Sequence, residues 1–400
     1  MKHFIPFSPP DITEAEITEV AAALRSGWIT TGPKTKEFER RIADFCGASR
    51  AACLNSATAA LELTLRILGI GPGDEVITSA YTYTASASVI CHTGATPVLV
   101  DLAPNSLEMD LDLLEQAITP RTKAIIPVDL AGIPCDYPSL RTLAEAESTR
   151  FTPGNAIAGQ IGRIAIIADA AHSFGAQRGG IPTGNLADFT CFSFHAVKNL
   201  TTAEGGAAVF SETNGKDIEE IYNQYMLLSL HGQSKDALAK TQLGAWEYDI
   251  LSPAYKCNMT DIAAALGLAQ LERYPGLLER RRALIRRYDA AFTGSRIRPL
   301  PHFTSEYSSS GHLYLTWLQG ADQAKRNETI LQLAEAGISA NVHYKPLPLL
   351  TAYRKMGFSP ADFPRACARF ENELTLPLHT LLSDSDADYV AEKLLQFLEK

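Results

Sequence analysis

A lysine and an aspartate sit in settings that permit unusual chemistry. Lys198 lies in Cys191-Phe192-Ser193-Phe194-His195-Ala196-Val197-Lys198, just past an apolar run rich in aromatics. Asp169, 29 residues earlier, closes the apolar run Ile166-Ile167-Ala168. A lysine in a desolvated pocket loses part of its charge, and the neutral amine condenses with an aldehyde as a Schiff base. A carboxylate at the buried end of a strand needs a partner, because an isolated one is costly to desolvate. The pyridinium nitrogen of pyridoxal 5′-phosphate (PLP) is such a partner, and the aldehyde of PLP matches Lys198. The two residues together point to carbonyl–amine chemistry. Read singly, Lys198 is an ordinary loop lysine and Asp169 a structural partner of the nearby His172.

Other segments could complete such a site. Asn55-Ser56-Ala57-Thr58-Ala59-Ala60-Leu61 passes from a strand end into a helix of small residues. A helix N-terminus offers unpaired N–H groups and a positive dipole end, which suits a phosphate. An ordinary serine N-cap reads the same way. Ser193 and Gly205-Gly206 give the loop around Lys198 a tight, ligand-approaching character. Tyr83 could stack on an aromatic ring or belong to the core. His343 and His312 are candidates for substrate contact, although read singly each is a structural histidine.

The bulk composition narrows the class. The chain has 400 residues, 46% hydrophobic and 20% charged, enough for a large core and two domains. A net charge of −9 argues against a nucleic-acid binder. Seven cysteines, at 46, 53, 91, 135, 191, 257 and 367, are scattered without a CxxC pair. That predicts reduced thiols in a cytoplasmic protein, with neither a disulfide frame nor a metal site. The N-terminus shows no leader-like apolar region, and no apolar run approaches the ~18 residues of a membrane span.

Elements able to hold these residues follow from periodicity. Thr13-Glu14-Ala15-Glu16 is a capping-box signature ahead of Ile17, Val20, Ala21 and Leu24 at helical spacing. Gly27 to Pro33 breaks that helix, and a second begins near Thr35. Apolar runs at 51–54, 75–79, 96–101, 123–129, 164–169, 189–194 and 206–210 read as buried strands. Amphipathic stretches at 58–68, 82–92, 110–118 and 138–147 lie between several of them. The alternation predicts an α/β fold with a mostly parallel central sheet, whose ligand sits beyond the carboxyl ends of the strands. Past about residue 250 the pattern changes. A charged helix over roughly 260–292 leads into a smaller α+β unit, with 313–317 and 340–344 as candidate strands. Domains of 1–250 and 251–400 are expected. The segment 148–162, polar and aperiodic, reads as a surface loop.

In combination, these segments resemble the DegT-type family of PLP-dependent nucleotide-sugar aminotransferases, of the fold type I aspartate aminotransferase superfamily. The resemblance covers nearly the whole chain. It rests on Ser26-Gly27-Trp28-Ile29-Thr30-Thr31-Gly32-Pro33, Asn55 to Leu61, Gly71-Pro72-Gly73-Asp74-Glu75-Val76-Ile77, Asp169-Ala170-Ala171-His172, Ser193 to Lys198 and Glu204-Gly205-Gly206. It continues through Tyr255-Lys256-Cys257-Asn258-Met259-Thr260-Asp261 and Val342-His343-Tyr344-Lys345-Pro346.

The resemblance implies that Lys198 carries the cofactor and later moves the proton. It implies Asp169 on the ring nitrogen, Tyr83 on one ring face, Ala171 and His172 on the other, and Ala57, Thr58 and Ser193 at the phosphate. Thr31, His195 and His343 are implied as substrate contacts. Asn258 would reach the partner subunit's cofactor, giving a homodimer with shared active sites. The implied reaction takes the amino group of L-glutamate to a 4-keto-6-deoxy nucleotide sugar, UDP-linked, for surface polysaccharide or glycan synthesis. Two features depart from the family pattern: Ala168 stands where a glutamate is usual, and 148–162 is longer than the usual turn. A sugar dehydratase of the same fold has histidine in place of the lysine, which Lys198 argues against. A non-catalytic regulator would have no use for Lys198, Asp169 and the phosphate cradle together. A nicotinamide oxidoreductase would show GxGxxG after its first strand, which is missing here.

Overall fold

The computed structural model describes residues 4–211, 217–234 and 247–398; the first residues of the N-terminal arm lie outside them. The strands in chain order are β1 (Arg50–Leu54), β2 (Glu75–Ser79), β3 (Thr96–Val100), β4 (Thr122–Ile126) and β5 (Ala165–Asp169). Two short pieces follow, β6 (Gln177–Arg178) and β7 (Ile181–Pro182), then β8 (Phe189–Ser193) and β9 (Gly206–Phe210). The C-terminal part contributes β10 (Ile297–Pro299), β11 (Tyr307–Ser308), β12 (Tyr314–Leu318) and β13 (Glu373–Leu376).

Seven strands form one sheet in the order β1-β9-β8-β5-β4-β2-β3. Parallel pairing links β3, β2, β4, β5 and β8, while β9 runs antiparallel to both β8 and β1. Every apolar run of the large sheet expected from the sequence is a strand within one to three residues. Alternate residues serve opposite faces, as a pleated strand requires. Ile166 and Ala168 of β5 pack into one buried cluster, and Ala165 and Ile167 into another. Both faces are covered, which explains the near-continuous apolar runs.

The carboxyl ends of β1, β2, β5 and β8 fall on one edge, where β9 begins. Gly206 is opposite Leu54 on one side and Ser193 on the other. Asp169 is opposite Cys191. Register therefore aligns Asn55-Ser56, Asp169 and Ser193 along that edge. At the far end, Arg163 and Asp188 form a buried bidentate ion pair at 2.7 and 2.9 Å, and Asp188 also accepts from the Ile166 N–H at 2.9 Å. This ties the starts of β5 and β8 together. Breaking a buried pair costs about 3–5 kcal/mol, so Asp188→Ala lowers the thermal unfolding midpoint sharply. An unchanged midpoint would show that this tie does not hold the two strands.

The capping box is present: Thr13 Oγ1 accepts from the Ala15 N–H and the Glu16 carboxylate accepts from the Thr13 N–H, starting α1 (Glu14–Ser26). Pro33 opens α2 (Pro33–Cys46), two residues before the expected start. The helices α3 (Ala57–Ile67) and α4 (Ala85–Thr93) leave the site-bearing edge. The long helix Asp261–Phe292 runs as expected, with Thr260 as its N-cap. No helix among the described residues is long and apolar enough to cross a membrane.

Two expectations about local structure are corrected. Residues 340–344 are not a strand. Asn341 exchanges two backbone hydrogen bonds with Thr375, and the ladder then stops because the Glu373 carboxylate takes the His343 N–H at 2.8 Å. The second sheet is β10-β12-β13 instead. Within 148–162, the stretch Ala156–Ile161 is a helix. Asn155 caps it through its side chain, and Ile157, Ala158 and Ile161 are buried against the sheet. The segment feeds the amino end of β5, so it lies away from the site-bearing edge.

Candidate active site

A cavity of about 340 Å³ opens at the carboxyl ends of the strands. It gathers Ala57 and Thr58 from α3, Tyr83 from the turn after β2, and Asp169, Ala171 and His172 from the end of β5. Ser193, His195 and Lys198 line it from the end of β8 onward. No residue of 148–162 lines it.

Lys198 is held by a loop that is closed at its base. Phe194 is fully buried; its N–H donates to the Gly205 carbonyl and its carbonyl accepts from the Thr202 N–H, both at 2.8 Å. The Lys198 N–H then donates to the His195 carbonyl at 2.9 Å, turning the side chain into the cavity. Burial pushes the Lys198 amine down to about 8, and the nearby Asp169 carboxylate opposes that shift. About a tenth of the amine is therefore neutral at pH 7, far more than for an ordinary lysine.

Asp169 is buried, and burial raises its carboxyl above the ordinary range. Ser86 Oγ of α4 donates to Oδ2 at 2.6 Å, and the Ala171 N–H donates to Oδ1 at 3.3 Å; with Lys198, these pull the other way. His172 does not pair with Asp169. Its Nδ1 accepts from the Ala131 N–H at 3.2 Å, and its Nε2 lies 3.2 Å from Tyr344 Oη. Burial holds His172 well below the usual histidine range, with Lys198 adding to the effect, so the ring is neutral.

At the start of α3, Ser56 caps the helix by accepting from the Ala59 N–H at 3.1 Å. The Ala57 and Thr58 N–H groups belong to the first turn, which has no intrahelical acceptor. A side chain on Gly206 would meet the Ala57 nitrogen at 2.4 Å, so only glycine lets β9 approach this helix end. Ser193 Oγ points to the same region and accepts from the His195 N–H at 3.4 Å. Tyr83 is 61% exposed at the mouth, ruling out its core role.

Four sequence candidates, Thr31, Asn258, His343 and His312, lie outside the cavity lining. Thr31 Oγ1 donates to the Met259 carbonyl and accepts from Asn258 Nδ2, both at 2.5 Å. These two residues form their own cluster. His343 is packed beside the cavity, near enough to feel the Lys198 charge: its ring stacks on Phe7 at 5.5 Å and its Nδ1 lies 2.9 Å from Thr375 Oγ1. Burial pushes His343 down to about 3. His312 is a buried structural residue, with Nδ1 3.0 Å from Asn199 Oδ1.

A sequence profile of the DegT/DnrJ/EryC1/StrS aminotransferase family matches residues 10–395. The chain belongs to this family. It is 40% identical over 399 residues to SpsC, a spore coat polysaccharide biosynthesis protein of Bacillus subtilis (strain 168), covering 98% of this chain and 96% of that protein. The putative sugar aminotransferase Spr1654 of Streptococcus pneumoniae, solved in its PLP form, superposes with a TM-score of 0.96 at 58% identity over 99% of both chains. Helicobacter pylori PseC, an aminotransferase involved in pseudoaminic acid biosynthesis, superposes at 0.87 with 28% identity, covering 99% of this chain and 100% of that one.

The protein is a PLP-dependent aminotransferase, and its own residues fit the cofactor. A buried carboxylate, a desolvated lysine, a glycine-cleared helix N-terminus and an open aromatic face converge on one cavity. Two members of the constellation were not read from the sequence. Ser86 is 83 residues from Asp169, and Tyr344 is 172 residues from His172. Tyr344 appeared only as a neighbour of His343, and Ser86 carried no signal at all.

The shifted lysine has a kinetic consequence. Only the neutral amine condenses with an aldehyde. Loading of the apoprotein with PLP should therefore accelerate with pH to a plateau, half-maximal near 8. Stopped-flow absorbance would read this directly. A midpoint near the ordinary lysine value of about 10.4 would mean that the pocket does not desolvate Lys198.

Proposed function

We propose that this enzyme moves the amino group of L-glutamate onto the keto carbon of a 4-keto-6-deoxy nucleotide sugar, UDP-linked, to make a 4-amino sugar for surface polysaccharide. The observation that carries the reaction class is Lys198, half neutral near pH 8, facing Asp169 in one cavity. The sugar acceptor is supported by relatives named for polysaccharide and pseudoaminic acid synthesis.

Asp169 would hold the ring nitrogen of PLP, the α3 N-terminus with Ser193 its phosphate, and Tyr83 one ring face. When bound, PLP supplies an electron sink for the charge left on a substrate carbon that loses its proton. Lys198 Nζ would take that proton from the amino donor's Cα and deliver it to C4′ of the cofactor, across the nitrogen that joins them, which a base with a pKa near the working pH does well. The Ser86 and Ala171 donors favour the anionic form of Asp169 against the effect of burial, and that anion would balance the positive charge on the ring nitrogen. His172 is neutral and so adds no competing cation.

The functional unit in this proposal is a homodimer. Ile12, Ile17 and Leu24 are exposed beside an apolar groove that reaches Ala196 and Ala203 next to the Lys198 loop. Burying such a face against a second copy is favourable, and Asn258 would then serve the partner's cofactor. All seven cysteines are free thiols, consistent with a cytoplasmic setting.

Holoprotein should show a visible cofactor band that bleaches with L-glutamate and returns with the keto sugar. Screening 4-keto UDP- and dTDP-sugars, with products identified by mass and NMR, decides the acceptor. A colourless protein indifferent to PLP would refute the reaction class. Amination of amino-acid-derived keto acids alone would refute the sugar.

A further inference from the structure

The position of one proton follows from the bonds around His172. The Ala131 N–H can only donate, so His172 Nδ1 must present its lone pair. The ring is neutral, so its single N–H is on Nε2, which lies 3.2 Å from Tyr344 Oη. Tyr344 therefore accepts from His172. Its own O–H must point elsewhere, and among the described residues no other hydrogen-bond partner of Tyr344 Oη is present. Tyr344 lines the cavity that holds Lys198 and stays neutral, since burial pushes its phenol above the ordinary range.

The side chain is also firmly placed. Its ring meets Tyr83 with centroids 5.8 Å apart. The preceding residue is gripped on each side: the His343 N–H donates to Glu373 Oε2 at 2.8 Å, and the His343 carbonyl accepts from Tyr81 Oη at 3.1 Å. Thr375 Oγ1 donates to Glu373 Oε1 at 2.6 Å and so is left to accept from His343 Nδ1. Glu373 and Thr375 belong to β13, so the second sheet carries Tyr344 to the edge of the first.

We propose that Tyr344 is a substrate-orienting residue whose hydroxyl, oriented by His172, donates to an oxygen of the substrate beside the reacting carbon. The proposal rests on the transamination reading above. An acceptor oxygen of this kind comes from the keto group of the sugar or the carboxylate of the amino acid. A donor fixed in advance toward such an oxygen lowers the barrier without reorganising.

The test is Tyr344→Phe, which keeps the ring on Tyr83 and removes only the hydroxyl. The two half-reactions are followed separately by single-turnover absorbance on holoenzyme. We expect one of them to slow about 10–100-fold, the loss of one hydrogen bond to a developing charge, with the cofactor band unmoved. Slowing with glutamate assigns the carboxylate, and slowing with the keto sugar assigns the keto oxygen. Both rates within about twofold of wild type, or a shifted band with normal half-reactions, overturns the proposal. A wild-type protein inert to glutamate refutes transamination instead. An independent measurement then still decides the geometry: long-range ¹H–¹⁵N spectra of histidine-labelled wild-type protein should show His172 as the Nε2–H tautomer, and an Nδ1–H tautomer overturns the proposal whatever the substrate.

Discussion

Lys198→Ala is expected to abolish transamination, with turnover down by at least about 10⁴-fold. That figure is the upper end of what a general acid–base contributes, and here the same nitrogen also anchors the cofactor. The visible cofactor band should vanish while the far-UV spectrum of the protein stays unchanged. The fold should tolerate the change because the loop is held through its backbone, by Phe194, Thr202 and Gly205, rather than by the lysine side chain. Removing a desolvated ammonium also relieves the protein of a buried charge. Lys198→Arg should be equally inactive, since a guanidinium stays protonated and cannot act as base or nucleophile. Activity within tenfold of wild type in either variant would remove Lys198 from the mechanism.

The second large effect is expected at Asp169. Asp169→Asn keeps the size of the side chain and an oxygen for the Ser86 hydroxyl, and loses only the charge. Losing the anionic half of a buried pair costs about 3–5 kcal/mol, which corresponds to about 10²–10⁴-fold in turnover. The apoprotein should move in the opposite direction. The folded-state pKa of Asp169 is raised by burial, so its stability contribution is complete at low pH and is lost as pH rises through the folded value. At neutral pH the asparagine variant should therefore unfold at an equal or higher temperature than wild type, while its activity collapses. Equal losses in stability and turnover would recast Asp169 as a structural residue.

The two residues with the largest expected effects were also the most legible, for a local reason. Asp169 and Lys198 each stand at or just past the end of an apolar strand, and strand ends on one side of a parallel sheet converge whatever the details of packing. The α3 N-terminus was legible in the same way, through Ser56 and the small residues after it. Periodicity placed the seven strands of the large sheet, because burial on both faces leaves runs that few other structures produce. It failed for Ala156–Ile161, a helix of less than two turns whose buried residues are too few to show a period. It also failed for residues 340–344, where a β-like composition is overruled by a carboxylate from β13 that takes the next backbone N–H.

Local sequence thus determined the sheet, the edge at which the cavity opens, and the lysine and aspartate that line it. All of these depend on hydrophobic patterning and chain direction, which are short-range properties. Tertiary packing alone decided the protonation and orientation of the site. The Ser86 donor to Asp169, the Ala131 N–H that sets the His172 tautomer, and the choice of Tyr344 over His343 at the cavity all join residues distant in the chain. Desolvation and hydrogen bonding depend on which atoms meet in space, and no spacing along the chain encodes such meetings.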